Sequence, residues 1–200
     1  GGKGHRLSPV TNVISKQLLP IYDKPMIYYS LSTLLLMDIY DITIITDKDN
    51  ISLYQKLLGD GSLWNVNISY IVQERPNGIA EAFLLTETKL KDFYTALILG
   101  DNIFYGHQLE KKLITASNSK KSSVFTYRVD DPERYGVIKY ENNKPVEIIE
   151  KPKIIKSNLA ITGLYLYDKE VFEIARSLRP SNRGELEITD INKYYLGNGL

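Results

Sequence analysis

Asp101 follows the apolar run Ala96-Leu97-Ile98-Leu99 and Gly100, so a carboxylate emerges where a buried strand stops. Open α/β sheets bind ligands at the carboxyl ends of their strands. One aspartate cannot enclose Mg²⁺, but magnesium takes one or two carboxylates and completes its shell with substrate phosphates and water. Aspartate also caps helices, so Asp101 as the N-cap of the next helix is the alternative. Gly1, Gly2 and Gly4, followed by Arg6, would let backbone N–H groups approach a polyphosphate while a guanidinium meets its oxygens. A plain glycine-rich terminus reads equally well. Neither the G-x-x-x-x-G-K-[ST] spacing nor the third glycine of a dinucleotide fingerprint is present.

Three further stretches carry polar groups at the ends of apolar runs. Ser15-Lys16-Gln17 leads into Leu18-Leu19-Pro20, where a surface lysine is the plain reading. Gln73 ends a strand with an amide that both donates and accepts, as the imide edge of thymine or uracil requires, and Gly78 has no side chain to block a base. Glu150-Lys151-Pro152 sets an acceptor for sugar hydroxyls beside a cation for a phosphate, although exposed Glu-Lys pairs are common.

The elements that would position these residues alternate in period. β-Branched runs at 42 to 46, 68 to 73, 96 to 100 and 124 to 129 predict strands, and the apolar spacing over 25 to 39, 50 to 58, 78 to 90 and 107 to 118 predicts helices. That is the pattern of parallel strands joined by crossover helices. Pro25 suits a helix start, where its missing N–H costs nothing. Beyond residue 130, segments 135 to 140 and 144 to 149 flank Glu141-Asn142-Asn143 and predict an antiparallel hairpin with a turn tolerant of positive φ. A strand over 160 to 167 and helices over 169 to 178 and 184 to 196 complete the chain. The expected class is α/β: a Rossmann-like, mixed, mainly parallel sheet flanked by helices, with the hairpin as an antiparallel addition.

Composition narrows the chemistry. The 200 residues are 43% hydrophobic and 24% charged, an ordinary globular balance. Twenty-five basic against twenty-four acidic residues leave +1, which points to no nucleic-acid footprint and no membrane partner. The absence of cysteine excludes disulfides, thiolate metal sites and thiol nucleophiles and fits a reducing, cytoplasmic setting; two histidines make a zinc site a poor reading. The apolar runs are too short to span a bilayer. Beginning at Gly1, inside a loop that should follow a buried strand, the chain reads as a fragment.

Taken together, these stretches resemble the sugar nucleotidyltransferases, most closely the short glucose-1-phosphate thymidylyltransferases. The resemblance covers essentially the whole chain. It is carried by Gly1 to Leu7, Ser15 to Pro20, Tyr22-Asp23-Lys24-Pro25-Met26-Ile27-Tyr28-Tyr29, Leu58-Gly59-Asp60-Gly61-Ser62, Gly100 to Gly106, Asp131-Pro132-Glu133-Arg134-Tyr135-Gly136-Val137, Glu150-Lys151-Pro152, Thr162-Gly163-Leu164-Tyr165 and Arg183 to Asp190. It implies that Gly1, Gly2, Gly4 and Arg6 hold a triphosphate and that Lys16 sits on the reacting phosphates. It further implies that Gln17 lies near the deoxyribose, that Gln73 and Gly78 receive thymine, and that Asp101 binds Mg²⁺. Gly136, Glu150, Lys151, Ile161 and Thr162 would line the hexose phosphate pocket. The implied reaction converts dTTP and α-D-glucose 1-phosphate to dTDP-glucose and pyrophosphate, with Arg6, Lys16 and Asp101 as the catalytic set. A single domain over 1–200 is expected, with a nucleotide-binding half at 1–130 and a sugar-phosphate half at 131–200, incomplete at both ends and tetrameric at full length.

The sequence departs from the family pattern at His5, Ser30 and Glu81, where Thr or Ser, Pro and an amide are usual, and the family's second metal-binding aspartate would lie beyond residue 200. A relative using UTP or another hexose phosphate stays open, because one methyl group is worth only about 1 to 3 kcal/mol in a pocket. A catalytically silent sugar-nucleotide-binding subunit is the alternative from another class.

Overall fold

The computed structural model describes residues 7–199, in two compact units. Among the described residues the first comprises 7–76 and 98–118, the second 77–97 and 119–199. The glycines and arginine of the amino-terminal loop, Gly1, Gly2, Gly4 and Arg6, lie outside the described residues.

In the first unit, β1 (Pro20–Ile21) and β2 (Lys24–Pro25) form a short antiparallel ribbon that delivers the chain into helix α1 (Met26–Leu35). Pro25 is the N-cap of that helix, as its fixed φ favours. Ile27, Ser30, Thr33 and Leu34 are spaced three and four apart and make the buried face. Strand β3 (Asp41–Thr46) alternates as a strand with one face on a core must, burying Ile42, Ile44 and Thr46. It runs parallel to β4 (Asn67–Val72) in a continuous register from Asp41 opposite Asn67 to Thr46 opposite Val72. Helix α2 (Ile51–Leu58) supplies the crossover between them, burying Tyr54 and Leu58.

The second unit is built on a five-stranded sheet ordered β5-β9-β7-β8, with β6 paired to β9. Its strands are β5 (Thr95–Ile98), β6 (Ser123–Arg128), β7 (Gly136–Glu141), β8 (Lys144–Glu150) and β9 (Leu159–Tyr167). β7 and β8 form the expected hairpin, and Asn142 and Asn143 both take positive φ at its turn, 49° and 61°. β6 differs from the parallel expectation: it runs antiparallel to β9, with Arg128 opposite Leu159. Alternation of helix and strand in a sequence reports element type; strand direction depends on the partner, here a strand beyond the hairpin.

Helices α3 (Glu81–Leu90), α5 (Val171–Ser177) and α6 (Ile188–Gly197) supply the rest of that core. Phe83 sits edge-on to Tyr167 and Phe172, with ring centroids 5.5 and 5.9 Å apart. Tyr165, Tyr167 and Tyr195 stack in a column, and the Tyr167 hydroxyl donates to Asn192 Oδ1 at 2.5 Å. Among the described residues no helix is long and apolar enough to cross a membrane.

Candidate active site

On the first unit, the residues Ser15 to Leu18 form a single 3₁₀ turn, Lys16–Leu18, with no strand of its own to stiffen it. Lys16 Nζ forms an ion pair with Asp101 Oδ2, both side chains being half-buried. Asp101 lies three residues past the end of β5, and Asn102 Nδ2 donates to its Oδ1 at 3.1 Å. The next helix, α4 (Leu109–Ser119), begins eight residues later, so Asp101 caps no helix and its carboxylate faces a cation instead. Ser30, buried in α1, shares its hydroxyl proton between the carbonyls of Leu99 and Asn102, each 3.2 Å away, bracing the loop on both sides of Asp101.

Gln17 belongs to the same cluster. Its Oε1 accepts from Ser15 Oγ at 2.5 Å, and Gly100 packs so closely on it that a Cβ there would stand 3.1 Å from Gln17 Cγ. The glycine is therefore what lets the chain after β5 meet the Lys16 turn. Gln73 also lies in the first unit, buried at the end of β4, its backbone N–H donating to the Thr46 carbonyl at 2.8 Å.

Gly78 lies in the second unit, and the structure gives it a structural reason of its own. Its φ is +109°, and a Cβ would meet the Leu186 carbonyl oxygen at 2.4 Å. The backbone is stitched there by Leu186 N–H to the Asn77 carbonyl, 2.6 Å, and Ala80 N–H to the Leu186 carbonyl, 3.2 Å.

Of the residues expected to serve a sugar phosphate, Gly136, Glu150 and Lys151 lie together at the open end of the β7–β8 hairpin, while Ile161 and Thr162 are on β9. Gly136 is opposite Glu150 in the β7–β8 register, and a Cβ on it would crowd Thr189 Oγ1 at 3.0 Å and Glu150 Oε2 at 3.1 Å. Thr189, buried in α6, donates to that same Oε2 at 2.5 Å, while Arg183 Nη2 reaches Oε1 at 3.4 Å and Lys151 Nζ lies 3.8 Å away. Lys151 adopts φ +44°, a left-handed conformation unusual for a side-chain-bearing residue, pinned by its N–H to the Tyr135 carbonyl at 2.9 Å. Ile161 is buried on β9 opposite Thr126. The Thr162 hydroxyl is committed to the Phe125 carbonyl, 2.8 Å, at the bulge between Val124 and Thr126, so its side chain serves the strand pairing.

Arg183 and Thr189 join this cluster although sequence reasoning assigned them no role. Their only signal is membership of the Arg183 to Asp190 stretch, where Arg183 is four residues before Glu187. The Glu187 hydrogen bond, reinforced by the charges of Glu187, Glu185 and Glu150, raises the Arg183 pKa, so the guanidinium stays a fixed cation.

Among the described residues no three His, Cys, Asp or Glu side chains gather around one point. Asp101 is nevertheless suited to a hard divalent cation that brings most of its own ligands: its carboxylate is reachable, lies after a strand end, and already holds a positive charge. The Lys16–Asp101 cluster and the Glu150–Lys151–Arg183 cluster each pair carboxylates with cations, an inventory able to bind and neutralise anions.

The family model described as nucleotidyl transferase matches residues 1–200. A glucose-1-phosphate thymidylyltransferase of Xanthomonas campestris pv. campestris is 51% identical over 201 residues, covering 100% of this chain and 68% of that protein. A crystal structure from Bacillus anthracis bearing the same enzyme name, in complex with sucrose, superposes with a TM-score of 0.91 at 45% identity, over 99% of this chain and 80% of that one. A UDP-glucose pyrophosphorylase in complex with UDP-glucose gives 0.86 at 26% identity, over 98% and 84%.

Proposed function

The chain belongs to the nucleotidyl transferase family and carries the activity of its glucose-1-phosphate thymidylyltransferases, and from that premise we propose which of its residues do the work. A phosphate oxygen of α-D-glucose 1-phosphate attacks the α-phosphorus of dTTP. The new P–O bond forms in line as the bond to the β-phosphate bridging oxygen breaks, releasing pyrophosphate and leaving dTDP-glucose. Two anions must meet and a third must leave, so positioning and charge neutralisation carry the rate.

Gly1, Gly2, Gly4 and Arg6 hold the triphosphate in this reading. Lys16 takes the charge that builds at the reacting phosphates, and Gln17 stands by the deoxyribose. Gln73 and Gly78 receive thymine. Gly136, Glu150, Lys151, Ile161 and Thr162 serve the hexose phosphate, Lys151 through its ammonium and Thr162 through its backbone, since its hydroxyl is spent on Phe125. The family is generally dependent on a divalent metal; in this reading the ion would be Mg²⁺ and Asp101 would hold it. When bound, it neutralises phosphate charge and orients the groups for in-line displacement. The enzyme works in the cytoplasm and, at full length, as a homotetramer.

The observation that supports this assignment best is the Lys16–Asp101 ion pair just past the end of β5. The pair sets a cation that can meet phosphate oxygens beside a carboxylate that would hold the metal ion. Pyrophosphate release by the intact enzyme, over dTTP, UTP and a panel of hexose 1-phosphates with Mg²⁺, tests it. Turnover should favour dTTP with glucose 1-phosphate and collapse in Lys16→Ala. Unchanged turnover in that variant would overturn the role of Lys16. The UDP-glucose pyrophosphorylase likeness makes UTP the competitor to measure, and equal kcat/KM for UTP would replace dTTP as the assigned nucleotide.

A further inference from the structure

The Lys16 turn is three residues long and is held by Asn50, the N-cap of α2, and by Tyr54 within that helix. Both residues flanking Lys16 are engaged. Asn50 Oδ1 accepts the Ser15 backbone N–H at 2.9 Å, and the Tyr54 hydroxyl meets Ser15 Oγ at 3.0 Å. Ser15 has one hydroxyl proton, and it points to Gln17 Oε1 at 2.5 Å, so Tyr54 is the donor in the contact with Ser15. Asn50 is itself fixed, because Asp47 Oδ1 accepts from its backbone N–H at 2.9 Å and from its Nδ2 at 2.8 Å, which turns the amide oxygen toward Ser15. Asn50 and Tyr54 stand one helical turn apart and face the same way. Tyr54 is buried, and burial raises its phenol pKa, so the donor keeps its proton.

We propose that Asn50 and Tyr54 are positioning residues for the transfer reaction: together they dock the Ser15–Gln17 turn on α2 and fix the point from which Lys16 reaches Asp101 and the reacting phosphates. The inference rests on the reading of Lys16 given above. A lysine has a long flexible stem, so where its Cα is anchored decides which atoms its ammonium can serve. Asn50 and Tyr54 are assigned no contact with substrate or metal; they act through the turn that carries Lys16, Tyr54 also lying 3.5 Å from Gln17 Oε1 within it.

The test uses the intact enzyme with Tyr54→Phe, which removes one oxygen, and Asn50→Ala, which removes the acceptor for Ser15. Each should lower kcat by roughly tenfold to a hundredfold, the scale of a misplaced catalytic group. KM for glucose 1-phosphate should stay within about twofold, since that substrate's grip is elsewhere. The decisive measurement is a double-mutant cycle: in a Lys16→Ala background, Tyr54→Phe should cost nothing further, because there is no ammonium left to place. If the hydroxyl deletion multiplies in full on top of Lys16→Ala, or leaves kcat of the parent unchanged, the positioning role is overturned. Normal turnover of Lys16→Ala alone is a separate result that removes the reading of Lys16 first. Should Asn50→Ala fail to fold, Tyr54→Phe still decides the matter.

Discussion

Replacing Lys151 with glycine should make the protein more stable and its sugar-phosphate binding worse. Lys151 holds φ +44°, and the Tyr135 carbonyl keeps its N–H there. An L-residue in the left-handed region is strained by about 1 to 2 kcal/mol, whereas glycine enters freely. Glycine gives back about 0.5 to 1 kcal/mol through the greater freedom of the unfolded chain. The Lys151–Glu150 pair at 3.8 Å is half exposed and contributes little. The net gain is about 0.5 to 1 kcal/mol, a rise of roughly 1 to 4 °C in Tm for a protein of this size. The same change removes a charge-assisted contact to the phosphate worth about 1.5 to 3 kcal/mol, so KM for glucose 1-phosphate should rise roughly 10- to 150-fold. Lys151→Ala is the control: it loses the ammonium and keeps the strain, so KM should rise equally while Tm does not. Calorimetry beside pyrophosphate-release kinetics reads both quantities. Equal Tm for the alanine and glycine variants would refute the strain argument, and an unmoved KM in both would refute the phosphate contact.

Asp101→Asn keeps the shape of the loop and removes the charge that faces Lys16, and kcat should fall by about a hundredfold or more at saturating Mg²⁺; turnover at the parent rate would free Asp101 from its role. Gly78→Ala should destabilise by about 2 to 3 kcal/mol, read as a lower urea midpoint, since its Cβ would stand 2.4 Å from the Leu186 carbonyl oxygen at φ +109°. Alkaline conditions should destabilise the second unit. Burial pushes the Tyr94 phenol from 10.0 up to about 12, and raises Tyr165, Tyr167 and Tyr195 as well. Their stabilisation is fully present below about pH 10, where the unfolded chain's phenols ionise, and drains away as pH climbs toward the folded values. The urea midpoint should therefore drop between about pH 10 and 12, in step with tyrosinate absorbance; a flat midpoint over that window would contradict it.

Element types were legible because each periodicity has one local cause. The Asn142-Asn143 turn needs two positive φ angles, and asparagine tolerates them; Pro25 can begin a helix, and α1 begins just after it. Strand direction was less legible, as β6 shows, because its partner β9 lies over thirty residues away. Asp101 was found through the run before it, but the loop that keeps it from capping α4 leaves no compositional mark. Gly78 was singled out for the space it leaves a base; what the sequence could not show is that a Cβ there would also meet the Leu186 backbone. Asn50 and Tyr54 left no signal, and Thr189 and Arg183 left only that of the stretch they belong to. Each is an ordinary residue on a helix or turn, and only folding brings it beside Ser15 or Glu150.

The discontinuity of the second unit has a consequence for the ribosome. Residues 77–97 are made early, yet the partners of Phe83 are Tyr167 and Phe172, some ninety residues later. At an elongation rate of about 5 to 20 residues per second that gap lasts roughly 5 to 20 s, during which the aromatic partners of Phe83 are not yet made. The first unit's parallel pair, β3 and β4, is complete before α3 emerges. The nascent chain therefore carries a finished strand pair followed by a helix whose apolar face still waits for its partners, a stage at which premature release favours aggregation.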